Sequence, residues 1–357
     1  MLSGMGFEGI SREELQLAAR NHGMPLEGLR YPITPVGMHY LLTHYDIPYV
    51  EPSSWRLRVA GFVARPLELT LDDLRARPPV EVVSTMECAG NGRAHLDPRP
   101  FSQPWLHEAV GTACWRGVAL AELLEEAGLG EPAIEVVLTG LDRGLEAGAE
   151  RPFARSLTVA EALGSGAVLA YELNGIPLPP QHGFPLRLVV PGWYGMTNVK
   201  WIAEIAAVDS PFLGHQQVGA YQVRRDADDP GIALTRMQPR ALMIPPGAVE
   251  FPTRRRSLPV GPVLLEGRAW SGFGPIERVE VSVDGARTFE AAELVRDVDS
   301  PAAWCGWRYP WQPSTPGRYE LACRASDGAG KTQPLEPEWN LGGYGNNAVQ
   351  RVSVDAV

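Results

Sequence analysis

Lysine is nearly absent. Only Lys200 and Lys331 occur in 357 residues, so arginine carries almost all the positive charge, and each lysine is a candidate for a specific role. Basic residues are short overall: 32 Lys and Arg against 42 Asp and Glu give a formal charge of −10. A nucleic-acid binder needs a basic face that displaces phosphate counterions, so no nucleic-acid partner is expected. Long hydrophobic runs are also missing. None approaches the roughly 18 residues of a membrane span, so no membrane partner is expected either. The first 23 residues contain neither a basic nor an apolar leader region, and a cytoplasmic location is the expectation. Four cysteines (Cys88, Cys114, Cys305 and Cys323) contain no Cys-x-x-Cys, which excludes zinc-ribbon, thioredoxin-like and c-type haem signatures.

What is present is a core. Apolar residues make up 45% and charged residues 21%, a balance that folds rather than stays disordered. The 33 prolines and 38 glycines predict many short elements joined by turns. Capping boxes at Ser11/Glu14, Thr70/Asp73 and Thr158/Glu161 predict three short helices, and Val118 to Ala127 a fourth that stops at Gly128. Strands are predicted at 80–86, 134–139, 168–173, 186–190 and 201–208, with a turn at Asn174-Gly175. From about residue 235 the helical signals stop. Val279, Val281 and Val283 alternate with Glu280 and Ser282 before an expected hairpin turn at Asp284-Gly285; Tyr319 to Ala325 alternates likewise, and Val349–Val354 is a last strand. The reading is a mixed, strand-rich α+β unit over 25–230, preceded by an extension over 1–24. An all-β immunoglobulin-like sandwich follows over 235–357.

Two segments carry chemistry. In Val80 to Arg93 a β-branched strand delivers Cys88 to the glycine-rich turn Ala89-Gly90-Asn91-Gly92, with Arg93 five residues after the cysteine. Backbone N–H groups and a guanidinium lower a thiol's pKa, so Cys88 reads as a nucleophile or a metal ligand; a small buried residue at a strand end is the bland alternative. The second segment, His182 to Trp201, gathers His182, Arg187 and Lys200 around a strand and a loop holding Gly192 and Gly195. Cations beside exposed N–H groups suit a phosphate, and a hairpin with solvated charges is the plainer reading.

Taken in order, Met86-Glu-Cys88-Ala-Gly-Asn-Gly-Arg93, Gly140-Leu-Asp142-Arg, Tyr171 to Pro179, His182 to Arg187 and Asn198-Val199-Lys200-Trp201 resemble the sulfite oxidase family of molybdopterin-dependent oxidoreductases. Trp339-Asn-Leu resembles its C-terminal dimerisation domain, and the likeness covers about 25–357. The resemblance implies an oxo-transfer enzyme with a molybdenum–pterin cofactor, whose single protein ligand is the Cys88 thiolate. It assigns cofactor contacts to Tyr40, Leu41, Leu42, Thr43 and His44, and to Asp142, His182, Arg187, Asn198, Val199 and Lys200. It places Arg93, Tyr221 and Trp105 around the substrate. It also implies a small oxyanion or other oxo donor or acceptor as substrate, a homodimer, no haem in this chain and hence a separate electron acceptor. The Arg20-Asn21-His22 tripeptide matches one family motif literally. It lies ahead of Ile33-Thr34-Pro35, however, so the 40–44 stretch is taken instead.

Two family arginines are missing: their positions hold Leu42 and Gly342. Each lost guanidinium removes charge-assisted hydrogen bonds worth about 1.5–3 kcal/mol. The expectation is therefore an intact metal site whose best substrate is not sulfite. A true sulfite oxidase, with Arg224, Arg225 or another nearby cation substituting, and a cofactor-free binding module on the same fold are the alternatives. Cys114 is read as core ahead of an apolar helix, Cys305 and Cys323 as free thiols, and Arg254–Arg256 as a solvated loop. His39, His95, His107 and His215 receive no role. Trp304, Trp307 and Trp311 suit either core packing or a dimer contact.

Overall fold

Residues 10–146 and 148–357 are described by a computed structural model; residues 1–9, part of the expected extension, lie outside the described residues. Helix α1 (Arg12–Arg20) opens on the Ser11/Glu14 capping box, α2 (Leu71–Arg75) on Thr70/Asp73 and α4 (Val159–Gly164) on Thr158/Glu161. Helix α3 (Leu120–Ala127) ends at Gly128 in the left-handed region, where glycine carries no Cβ penalty. It begins two residues later than the periodicity predicts, because Val118 and Ala119 finish a strand. Among the described residues no helix is long and apolar enough to cross a membrane.

Two sheets build the first two thirds. One has the order Leu67–Leu69, Leu57–Gly61, Ile202–Val208, Glu135–Glu146, Ala149–Thr158, with only the 57–61/202–208 pair parallel. The other runs Val80–Glu87, Val110–Ala119, Val168–Leu173, with Ile176–Pro177 and Arg187–Val189 both paired to 168–173. The Val110–Ala119 strand corrects the reading of Cys114. That residue is half-buried within the sheet, opposite Val83, on the strand that runs directly into α3, rather than in the core. The Asn174-Gly175 turn forms as read, with φ of 51° and 78°.

The last third is a four-stranded sheet (Arg240–Met243, Val263–Trp270, Cys305–Trp311, Glu293–Val295) facing a six-stranded one that contains Ile276–Ser282, Gly317–Asp327 and Gln350–Ala356. Asp284-Gly285 is not a two-residue hairpin. The chain leaves at Ser282 and returns only at Glu290–Ala291, and the Asp284 carboxylate accepts hydrogen bonds from the Arg287 and Thr288 amides to close this wider loop. Cys305 and Cys323 lie in opposite sheets as free thiols.

One hydrophobic core spans both parts. Trp270 and Trp304 of the sandwich pack with Leu57, Val110, Leu188 and Ile205 of the first unit. The Trp304 indole donates to the Pro32 carbonyl at 2.8 Å, and its amide to Thr85 Oγ1 at 2.7 Å. Trp307 and Trp311 are buried inside the sandwich itself.

Candidate active site

The Val80–Glu87 strand ends by presenting Cys88 at a turn in which the Asn91 amide donates to the Cys88 carbonyl at 3.0 Å. The Asn91 side chain braces this turn, donating to Glu87 Oε1 at 3.0 Å and accepting from the Ala109 amide at 3.1 Å. A Cβ at Gly90 would lie 2.6 Å from Arg93 Nη1, so a side chain there would displace the Arg93 guanidinium. Burial raises the Cys88 thiol above its ordinary pKa and outweighs the lowering by the Gly90 amide, Arg93 and Trp105. The activation expected from the turn is therefore overridden: a desolvated thiol lacks the character of a free nucleophile and yields its proton to a metal instead.

Two cavities meet at this sulfur. The first is lined by Tyr40, Leu41, Asp142, His182, Arg187, Asn198 and Lys200, and also by His39, Met86, Phe153 and Gly195. The second is lined by Thr43, Arg93, Gln103, Trp105, His215 and Tyr344. Cys88, Leu42, His44 and Tyr221 belong to both. Val199 lines neither; flanked by two cavity residues, it turns into the hydrophobic core.

In the first cavity neither Lys200 nor Arg187 forms an ion pair among the described residues, and Asp142 is the carboxylate that shares the space with them. Lys200 Nζ donates to the Leu42 carbonyl at 2.9 Å and the Gln181 carbonyl at 3.2 Å, and burial pulls it down to about 7. Arg187, also pulled down by burial, to about 10, donates to the His182 carbonyl and lies 4.7 Å from the Trp115 ring; its Nε has no partner. His39 Nε2 and Asp142 Oδ1 are also buried without partners. Burial raises Asp142 to about 6 and lowers His182 to about 2. Buried polar atoms are rarely left unpaired, and cations without ion-pair partners form a receptor for an anion. Gly195 adds a close backbone approach, since a Cβ there would lie 2.2 Å from Tyr40 Oη. This donor set fits a pterin phosphate, and Cys88 is a soft ligand suited to molybdenum.

In the second cavity Arg93 Nε donates to the Gly342 carbonyl at 3.0 Å and Nη1 to the Gln103 carbonyl at 3.1 Å, while its guanidinium lies 5.0 Å from the Tyr344 ring. Where a second arginine was sought, then, the backbone of Gly342 orients the first. Tyr221 sits at φ 55°, a strained conformation for a tyrosine, and hydrogen-bonds to His44 Nε2. Arg225 is exposed, and Arg224 Nη2 donates to the Val218 carbonyl, so neither lines the cavity.

Sequence reading missed His39, His215, Tyr344 and Arg155. Tyr344 hides in Gly342-Gly343-Tyr344-Gly345, which reads as loop; Arg155 lies on a strand that was not predicted. The Arg20-Asn21-His22 tripeptide, set aside on sequence, packs against the chosen stretch: His22 bridges Leu41, Asn21 Oδ1 accepts from the Thr43 amide at 2.7 Å, and Arg20 donates to the Tyr45 carbonyl.

Comparison with known proteins decides the family. The oxidoreductase molybdopterin binding domain matches residues 44–216, and the Mo-co oxidoreductase dimerisation domain matches 243–357. The chain is 36% identical to sulfite oxidase of Gallus gallus over 89% of its own length and 72% of that protein. It belongs to the sulfite oxidase family of molybdopterin-dependent oxidoreductases. It is also 35% identical to the mitochondrial sulfite oxidase of Rattus norvegicus, of which it spans 62%, and 31% identical to an NADH nitrate reductase of Ulva prolifera, of which it spans 40%. The sulfane dehydrogenase SoxCD of Paracoccus pantotrophus shares the fold, with a TM-score of 0.80 over 100% of this chain and 95% of that one, at 23% identity.

Proposed function

We propose that this oxidoreductase performs oxo transfer on a small substrate held beside Arg93, with lower charge than sulfite. One observation carries the reading: Cys88 is the shared wall of a cavity rich in unpaired cations and of a second cavity faced by Arg93, Trp105 and Tyr221. When bound, the molybdenum–pterin cofactor supplies two-electron oxygen-atom transfer. The chain does the rest. Cys88 ligates the metal, while Lys200, Arg187 and His182 hold the pterin phosphate, and Asp142 and His39 are left to pair with the pterin. Arg93 holds the substrate's negative charge, the Tyr221 hydroxyl donates to a substrate oxygen, and Trp105 closes the pocket against water.

Leu42 and Gly342 contribute only their carbonyls, to Lys200 and Arg93. A doubly charged anion thus loses two guanidinium partners, each worth about 1.5–3 kcal/mol. Electrons pass to a separate acceptor, and the sandwich pairs two copies. Metal and pterin analysis of purified protein, with kinetics of wild type and Cys88→Ser, tests the reading. Stoichiometric molybdenum, weak sulfite turnover and a folded, inactive Cys88→Ser are expected. Tight, fast sulfite turnover overturns the substrate assignment, and a metal-free protein that keeps its function after Cys88→Ser overturns the enzyme.

A further inference from the structure

Arg155 is a buried guanidinium with no carboxylate. It lies on Ala149–Thr158, two residues after Phe153, which lines the first cavity. It is 3% exposed, no ion pair involving it occurs among the described residues, and its Nε has no partner. Its Nη1 donates to the Gln216 carbonyl, and its guanidinium carbon lies 5.8 Å from the Tyr221 ring centroid. Gln216 and Tyr221 both line the cavity that holds Arg93. Burying an uncompensated cation is costly, and the cost is recovered if an anion arrives within its field.

We propose that Arg155 supplies the second positive charge of the substrate site, acting across the Tyr221 ring, so that the substrate is a small inorganic oxyanion rather than a neutral oxide. The inference rests on the second cavity being the substrate site. Arg155 is a positioning residue: it acts through Tyr221 and the Gln216 backbone and does not line the cavity. The carboxylate facing that cavity, Glu146, forms no ion pair with Arg155. Glu146 is engaged by Tyr45 Oη at 2.8 Å, Gln216 Nε2 at 2.7 Å and His215 Nε2 at 2.9 Å. A charge held in low dielectric a few ångströms behind the contact surface shifts anion affinity without touching the anion.

The test is sulfate and nitrate binding to the molybdenum-loaded enzyme by calorimetry, alongside KM and kcat for sulfite, in wild type, Arg93→Met, Arg155→Met and Arg155→Lys. Arg155→Met is expected to weaken sulfate binding on the order of ten-fold and raise KM similarly, with kcat changed less. Arg155→Lys is expected to restore most of the affinity, which a merely structural role would not do. Arg155→Gln, which keeps a donor for the Gln216 carbonyl, carries the same readings should Arg155→Met not fold. Wild-type sulfate affinity in the neutral Arg155 variants, with affinity lost in Arg93→Met, overturns this inference and leaves the oxo-transfer reading intact. A loaded wild-type enzyme that binds neither sulfate nor nitrate overturns the anion assignment. Absence of molybdenum overturns the underlying reading instead.

Discussion

Glu87 and Arg240 form an ion pair inside the protein, with Nε 2.9 Å from Oε1 and both side chains 2% exposed. Glu87 is the residue before Cys88, and Arg240 opens the first strand of the sandwich. The Trp270 indole donates to the other carboxylate oxygen at 2.9 Å. The Cys88 turn is thus held from behind by the C-terminal unit.

Breaking one half of such a pair leaves a buried charge uncompensated. Arg240→Met or Glu87→Gln is expected to destabilise the protein by about 3–5 kcal/mol. The double variant should lose less than the sum of the two. Urea unfolding midpoints of the four proteins, arranged as a double-mutant cycle, check this.

The His44–Tyr221 hydrogen bond aims the phenol at the point where the two cavities meet. Tyr221→Phe keeps the ring and removes the donor. It is expected to lower kcat about 10²–10³-fold, the usual cost of one transition-state donor, with the melting temperature little changed. Burial pulls His44 down to about 3, so the imidazole is neutral across the working range. The kcat profile between pH 5 and 8 should therefore show no inflection from this pair.

Among the described residues Lys200 Nζ forms no ion pair; it hydrogen-bonds to two carbonyls and lies 4.3 Å from the Trp201 ring. Lys200→Met should therefore cost little in folding and much in cofactor. About ten- to hundred-fold weaker retention is expected, matching one charged hydrogen bond, read as pterin and molybdenum per chain after gel filtration.

Helix α1 is fastened by Glu14, whose carboxylate pairs with Arg99 and is held down to about 2 mainly by that partner. An unfolded glutamate titrates near 4.3. Because the folded value is lower, the pair's stabilisation is complete above that pH and drains away as the pH falls toward about 2. Glu14→Gln is expected to be less stable at pH 7 and to converge with wild type near pH 2. Urea midpoints across that range should show a shallower acid limb for the variant.

Helix starts and the strand leading to Cys88 were legible because their signals are local: a capping pair, or a run of β-branched residues before glycines. The strands at 110–119 and 149–158 were not. Gly111 and Gly117 make the first read as loop, yet a Cβ at Gly117 would lie 2.0 Å from the Leu169 carbonyl oxygen of the neighbouring strand. In the second, Arg151, Pro152 and Arg155 interrupt the apolar pattern, because one end meets solvent and the other the site. The site was legible where its residues come in compact motifs. It was illegible at Tyr344 and Arg155, whose importance lies in what the fold places beside them.

The tryptophans shared across the core have a consequence for dividing the chain. Two separate family descriptions fit the two stretches of this chain, as if they were interchangeable cassettes. Severing the polypeptide near residue 235 would nonetheless strip Trp270 and Trp304 from the interior they complete and leave Glu87 facing an empty slot. Separating the halves would therefore open the first core, and a change at Arg240 or Trp270 reaches the Cys88 turn from more than a hundred residues downstream.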